Sequence, residues 1–257
     1  MSLVWYGLSR ADKTKDGEEN VLSYKNTQEQ IEESGVDTVV IPLGSVEQHG
    51  SHLPIGTDCF TAQAVAEGVA QHFNALLMPV LPISTCYEHK GKKGSFWMRP
   101  ITYYQMLEDV ILCMYEQGFK KVFLIVGHGG IFIADPVVRE LNALHDDLLV
   151  VKASAPRPDF LENTEPELHA GENETSLILH LYEELVDVEK AKQNDSQPSV
   201  PQEFLNYAPL PVLSKTGVWG KPSLASKEKG EKLLRFRIDA CIKFIEDALK
   251  IAVEKAW

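Results

Sequence analysis

A group of side chains that can bind metal follows one short apolar run near residue 40. Glu47 and His49 stand two residues apart, just after Gly44 ends that run, and Asp58 closes the segment. Residues two apart in extended backbone point to the same face, so Glu47 and His49 can converge on one centre. Carboxylates and imidazoles are ligands of Zn, Mn and Fe hydrolases, so the set together favours a metal centre. Any one residue alone would favour a polar loop that ends in a helix-capping aspartate.

A second candidate follows another apolar run. Residues 122–126 read as a buried strand that runs into Gly127 and His128. Ligands bind at the carboxyl ends of strands in open α/β sheets, so His128 stands where a functional residue is expected. The glycines around it have the wrong spacing for a dinucleotide loop, and no P-loop lysine follows.

A third group lies at the start of a helical pattern. Glu172 and Glu174 are two residues apart, which is about 200° around an α-helix, so both cannot bind one ion in a regular first turn. One is expected to be a ligand and the other to support the ligands. Acidic residues in a first turn also complement the helix dipole, and that explanation requires no metal.

The elements around these residues alternate strands with helices. This order predicts an α/β fold, a three-layer α/β/α sandwich with a largely parallel central sheet, in a single domain over residues 1–257. The basic loop at residues 87–99 is expected either to cover the active site or to be a solvated surface loop. Strands are expected at 39–43, 75–83, 122–126 and 148–154, and helices at 27–34, 60–73, 101–117, 134–145 and 225–257.

Composition excludes several classes of function. The net charge of −12 argues against a nucleic-acid or anionic-membrane partner. No segment approaches the roughly 18 consecutive apolar residues of a membrane span. The four cysteines are widely spread without a CxxC pair, and the first residues do not have the pattern of a signal peptide. A cytoplasmic protein with reduced thiols is expected.

Four motifs in order carry a resemblance to a known family. They are GSVEQHGSHLP at 44–54 with Thr57 and Asp58, GHG at 127–129, HAGENETS at 169–176, and GVWGKP at 217–222 with ASKEKG at 225–230. Together they resemble the creatininase (creatinine amidohydrolase) family, from about residue 37 to the C-terminal helix. The resemblance implies an α/β/α fold, a two-metal amidohydrolase site and a homo-oligomer, commonly a hexamer.

The resemblance also assigns roles to individual residues. Glu47 and His128 match ligands of the first metal ion, His49 matches a ligand of the second, and Asp58 matches the carboxylate that bridges both. Creatininase has a further glutamate two residues after the strand-end histidine, where this chain has Gly130.

The later motif supplies the remaining roles. Relatives with the Gly-His-Gly-Gly turn carry a glutamate in that motif, so Glu172 is expected to be the fifth ligand. Glu174 matches a separate family glutamate and is expected to support the ligands. His169 matches a histidine near the substrate and could move protons, although a histidine at a helix start is often a hydrogen-bonded cap.

These residues imply a hydrolytic reaction. Two divalent metal ions (Zn, Mn or Fe), roughly 3.5–4 Å apart, would activate a water for attack on an amide carbon. No serine or cysteine has a recognisable triad motif, which disfavours an acyl-enzyme. Because other members of the family that this chain resembles hydrolyse small formamides or cyclic amides, the resemblance implies metal-dependent hydrolysis of a C–N bond in a small cyclic or formyl amide.

Two alternatives concern the ligand of this site. Creatinine is not the expected substrate, because creatininase surrounds it with aromatic residues and this chain has Glu165, Leu168 and Gly129 in those regions. A non-catalytic, metal-containing oligomeric binding protein is the alternative from a different class. An open coordination position would favour the enzyme over the binding protein.

Overall fold

A four-stranded parallel sheet forms the centre of the computed structural model, which describes residues 21–253. The strands are β1 (Thr38–Leu43), β2 (Leu76–Leu77), β3 (Lys121–Val126) and β4 (Leu149–Ala153), in the spatial order β2-β1-β3-β4. β1 is buried throughout and lies between β2 and β3. A parallel sheet needs cover on both faces, which explains the continuous β-branched runs in the sequence.

Helices cover both faces. Alternate residues of β1 and β3, such as Val39 and Leu124, pack with helices α3 (Pro100–Glu116) and α4 (Ala134–Leu144) on one side. The intervening residues, such as Val40 and Phe123, pack with α2 (Thr57–Phe73) and α8 (Lys227–Val253) on the other side. The expected three-layer α/β/α sandwich is therefore confirmed.

The remaining helices are shorter. Thr27 caps helix α1 (Gln28–Ser34) by accepting from the backbone N–H of Gln30. Among the described residues, no helix has the length and apolar character to cross a membrane. The shorter helices are α1 (Gln28–Ser34), α5 (Glu172–Leu181), α6 (Val188–Ala191) and α7 (Leu210–Leu213). There are 3-10 turns at Tyr87–His89, Glu183–Leu185, Gln202–Asn206 and Pro222–Leu224.

Most differences from the expected elements lie at the ends. The second strand is the largest difference, because only Leu76–Leu77 of the expected 75–83 is a strand. Pro79 and Pro82 follow and cannot donate to a neighbouring strand, so only isolated contacts such as Leu81 N–H to Pro42 O continue the pairing. The last four residues of the expected C-terminal helix lie outside the described residues.

Candidate metal centre

The sheet brings the first two candidate segments together. In the β1–β3 pair, Leu43 is level with Val126, and the backbone N–H of Gly127 donates to Leu43 O at 2.8 Å. Both strands therefore end at the same edge. The segment carrying Glu47 follows one strand and His128 follows the other, as expected for a site at the carboxyl edge of a parallel sheet.

Glu47, Asp58 and His128 form the first group of possible metal ligands. All three are buried, and one ligand atom from each lies within 4.8 Å of the others. His128 Nδ1 is 3.2 Å from Glu47 Oε2 and 3.2 Å from Asp58 Oδ2. The Ser45 hydroxyl donates to Glu47 Oε2 at 2.6 Å and holds this carboxylate in place.

His49, His169 and Glu174 form the second group. His49 Nε2 lies 3.8 Å from Glu174 Oε2 and 3.2 Å from Asp58 Oδ1. The two oxygens of Asp58 thus face different groups, Oδ2 towards His128 and Oδ1 towards His49. This is the arrangement that a carboxylate bridging two ions requires.

Backbone carbonyls set the tautomers of two histidines in the second group. His49 Nδ1 lies 3.1 Å from Glu47 O, and His169 Nε2 lies 2.6 Å from Gln48 O. A carbonyl oxygen can only accept, so these nitrogens carry the ring protons. The opposite nitrogens face inward, where a neutral ring offers a lone pair, as is usual for histidines that bind metal.

The donor set fits divalent cations. His49 Nε2 and Asp58 Oδ2 are buried, and neither has a well-formed hydrogen bond among the described residues. Buried polar atoms left in this state are costly, so a cation between them would satisfy them. Mixed imidazole and carboxylate ligands suit Zn, Mn or Fe.

The electrostatics of the cluster also favour bound cations. Burial opposes charge on His49, but Asp58 and Glu174 outweigh it and raise the pKa of His49 to about 10. Burial likewise opposes charge on His128, but Glu47 and Asp58 raise its pKa well above the ordinary value. Both rings therefore bind protons that a metal ion would displace.

His89 is a buried member of the site that the sequence did not indicate. It lies in the 3-10 turn within the expected loop, and its Nε2 is 2.9 Å from Glu47 Oε1. Together with Glu47 and His169 it forms a third group able to hold a metal ion. The neighbouring Lys90 and Lys92 are exposed, so the lysines are solvated while the loop still reaches the site.

The prediction that Glu172 is the fifth ligand is corrected. Its carboxylate faces away from the ligand cluster and accepts from the backbone N–H groups of Glu162 at 3.0 Å and Asn163 at 2.7 Å. It also accepts from Lys229 Nζ at 2.5 Å. The predicted difference in helical phase does separate the two glutamates, but Glu174 is the one that faces the cluster.

Two cavities open onto the cluster, and His128, His169 and Glu174 line both. The first, of about 400 Å³, also contains Glu88 and Trp219. The second, of about 520 Å³, extends towards β4 and α8. The cluster is therefore accessible to a small molecule from more than one side.

Comparisons with known proteins show which family the chain resembles. A family model described as creatininase, creatinine amidohydrolase, matches residues 23–245. The chain is 28% identical to the mycofactocin precursor peptide peptidase of Mycobacterium tuberculosis over 236 residues, covering 80% of this chain and 83% of that protein. It is 28% identical to the creatinine amidohydrolase of Pseudomonas putida over 243 residues, covering 84% and 90%. With the 3-dehydro-scyllo-inosose hydrolase of Thermotoga maritima it shares 26% identity over 264 residues, covering 89% and 82%.

Solved creatininase structures share the fold. Three of them are 25% identical to this chain and cover 90% of it and 98% of their own chains: a variant complexed with creatine, a Zn–Zn form and a Mn form. Their TM-scores are 0.74, 0.72 and 0.71, respectively. Because the family model matches most of the chain and the fold agrees over nine-tenths of it, the chain belongs to the creatininase family.

Proposed function

We propose that this protein is a metal-dependent amidohydrolase that cleaves a C–N bond in a small cyclic or formyl amide. The observation that carries the proposal is the position of Asp58, whose two oxygens lie 3.2 Å from His128 Nδ1 and from His49 Nε2. The proposal is also supported by relatives of this chain that are named as hydrolases.

The proposed ligands follow from the two groups. Glu47 and His128 would hold one ion, His49 and Glu174 the other, and Asp58 would bridge them. Ions held there would supply a polarised water and neutralise charge that develops on the amide oxygen.

His169 is proposed to move the proton. Burial holds the pKa of His169 well below its ordinary value, and positive charge on His49 lowers it further. The ring is then neutral, with its proton on Nε2 and a lone pair on Nδ1, so Nδ1 could take a proton from the attacking water and return it to the leaving nitrogen. Leu168 and Trp219 line the cavity beside it.

Two observations bear on the substrate. The cavities match small ligands in size, and the backbone at Gly129 has open space around it. Creatinine is less favoured, because the positions where the family resemblance expects aromatic residues carry Glu165, Leu168 and Gly129. A binding protein that keeps metal for structure is the second candidate, but the open cavities beside the cluster favour an enzyme.

A substrate panel tests the proposal directly. Protein loaded with Zn or Mn is incubated with lactams, formamides, creatinine and short peptides, and amine release is measured with and without a chelator. We expect chelator-sensitive hydrolysis of a lactam or formamide and little release from creatinine. Asp58→Ala should abolish the activity, whereas Asp239→Ala, exposed on α8, should not change it.

The other outcomes are decisive as well. Rapid turnover of creatinine, or cleavage of peptides alone, would contradict the proposed substrate class. Fully metallated protein that hydrolyses no amide would favour the binding protein. Activity that survives complete metal removal would contradict the proposed centre.

We also propose a homo-oligomer, with a hexamer as the form implied by the family. Phe204 and Tyr207 are exposed, and their ring centroids lie 6.3 Å apart. Exposed apolar patches often mark contact surfaces. Light scattering on the metal-loaded protein measures the mass. A monomer at micromolar concentration would contradict this part of the proposal.

A further inference from the structure

The second cavity contains a cation without an acidic partner. Arg237 of α8 lines this cavity beside Glu174 and is half-buried. Its Nη2 donates to Asn173 Oδ1 at 3.1 Å. Among residues 21–253, no carboxylate oxygen lies within 4.0 Å of the guanidinium. Four of its five N–H donors therefore have no assigned side-chain partner in the described chain.

The other charged groups of the cavity already have ion-pair or hydrogen-bond partners. Lys152 forms an ion pair with Asp135. The Glu167 carboxylate accepts from the backbone N–H groups of Glu172 and Asn173, each at 2.8 Å. Glu174 accepts from the Ala170 N–H and faces His49. The group of this cavity with hydrogen-bonding capacity left over is therefore the Arg237 guanidinium.

Helix packing fixes Arg237 in this place. Gly230 and Arg237 are seven residues apart, so they lie on the same face of α8. A side chain at Gly230 would collide with α5, since a Cβ there would be 1.9 Å from Ser176 O. The close approach of the two helices brings Arg237 to Asn173, one residue before Glu174.

Arg237 remains charged in this setting. Burial lowers the pKa of its guanidinium and Glu174 opposes that change, but arginine starts so high that it stays protonated at neutral pH. Its planar fork suits a carboxylate in two parallel hydrogen bonds. A phosphate dianion would meet the negative charges of Glu174 and Glu167, so a singly charged carboxylate matches the cavity better.

We propose that Arg237 forms a subsite for the carboxylate of the substrate, which would be an amide bearing an acidic group a few bonds from the scissile C–N bond. The inference rests on the proposed hydrolase function, because it places the amide at the metal centre. It names a specificity-determining residue that neither the motifs nor the family relationship assigns.

Two lactams that differ only in a carboxylate test the subsite. Calorimetry measures the dissociation constants of 2-pyrrolidone and of pyroglutamate for zinc-loaded protein. We expect pyroglutamate to bind at least about tenfold more tightly than 2-pyrrolidone. A hydrogen bond to a charged group contributes enough binding free energy to change a dissociation constant by this factor or more. Arg237→Gln should reduce the preference to within about threefold, and Arg237→Lys should restore part of it.

A matched control lies two residues away. Arg235 is an exposed arginine of the same helix, paired with Glu231, so Arg235→Gln should keep the wild-type preference. Zinc content and thermal unfolding are measured for every variant, so that a loss of folding or metal is seen. If Arg237→Gln does not fold, Arg237→Lys tests the subsite instead. Lysine keeps the positive charge but lacks the planar fork, so an unchanged preference for pyroglutamate would contradict the proposed binding of the carboxylate by the Arg237 fork.

The outcomes separate this inference from the proposed function. Equal binding of both lactams by the wild type would overturn the subsite. A preference for pyroglutamate that persists in Arg237→Gln would also overturn it, because the carboxylate would then bind zinc directly. Hydrolysis of neutral amides without a carboxylate preference would leave the proposed function intact and remove only the subsite. An arginine-dependent preference without hydrolysis of either lactam would support the subsite and count against the enzyme.

Discussion

His89 Nε2 lies 2.9 Å from Glu47 Oε1, and both side chains are buried. Gln48 Nε2 lies 3.0 Å from His89 Nδ1, and the Gln48 amide is oriented by Gly50 N–H, which donates to its Oε1. Gln48 therefore donates to Nδ1, which leaves the ring proton on Nε2, the nitrogen that contacts the carboxylate oxygen without a well-aligned hydrogen bond. A loop residue outside the family motifs thus orients one of the proposed ligands.

Replacing His89 should weaken metal binding. We expect His89→Ala to reduce zinc affinity by about 10- to 100-fold, the usual effect of losing a residue that orients a ligand. Competition against a chelator of known affinity measures the change. His72→Ala is the control, because His72 is an exposed histidine on α2. Equal zinc affinity in wild type and His89→Ala would show that Glu47 is positioned without this contact.

The sequence predicted the elements better than the contacts between them. Helix α3 and strand β3 begin within one residue of their expected positions, because apolar periodicity and the break at Gly118 are local signals. His89 could not be predicted in the same way. It stands in a basic loop without periodicity, and only the folded chain brings that loop to Glu47.

The two glutamates illustrate the same limit. Helical geometry predicted that Glu172 and Glu174 diverge, but not which of them faces the site. That choice depends on the rotation of α5 about its axis, which its packing against α8 determines. Lys229 of α8 binds Glu172, so the opposite side of the turn faces the cluster of candidate ligands.

Neutral variants of these glutamates should therefore have opposite effects. Glu174→Gln should lower metal occupancy, measured by elemental analysis after dialysis, because it removes a proposed ligand. Glu172→Gln should retain the metal but lower the free energy of unfolding by about 2–3 kcal/mol, since Lys229 and two backbone N–H groups lose a charged acceptor. Urea unfolding is measured on metal-free protein, because bound metal would itself stabilise the fold. Loss of metal in Glu172→Gln with normal occupancy in Glu174→Gln would reinstate the original assignment.

Adjacent glycines provide another matched pair. A Cβ at Gly130 would lie 2.2 Å from Glu88 Oε1 and 2.4 Å from His128 Nε2, whereas a Cβ at Gly129 meets nothing within 4 Å. Both colliding atoms are the ends of side chains, so the chain should still fold after His128 shifts. We expect Gly130→Ala to weaken zinc binding by about tenfold or more, consistent with a displaced ligand environment, and Gly129→Ala to leave it unchanged. Similar affinities in the two variants would show that His128 tolerates the displacement.

Metal binding should release protons, and its affinity should rise with pH. The pKa of His49 is about 10 in the metal-free cluster, and the pKa of His128 is also well above its ordinary value, so both rings are protonated at pH 7. A metal ion must displace these protons, roughly two per chain, and a lower pH therefore favours the metal-free state. Burial raises the pKa of Glu174 to about 7, so part of a further proton is released near neutrality.

Zinc titrations at pH 7 in two buffers with different ionisation enthalpies give the number of protons, and Asp239→Ala should give the same number as the wild type. Zinc binding that releases no protons, or that tightens as the pH falls, would show that the ions do not displace protons from these histidines.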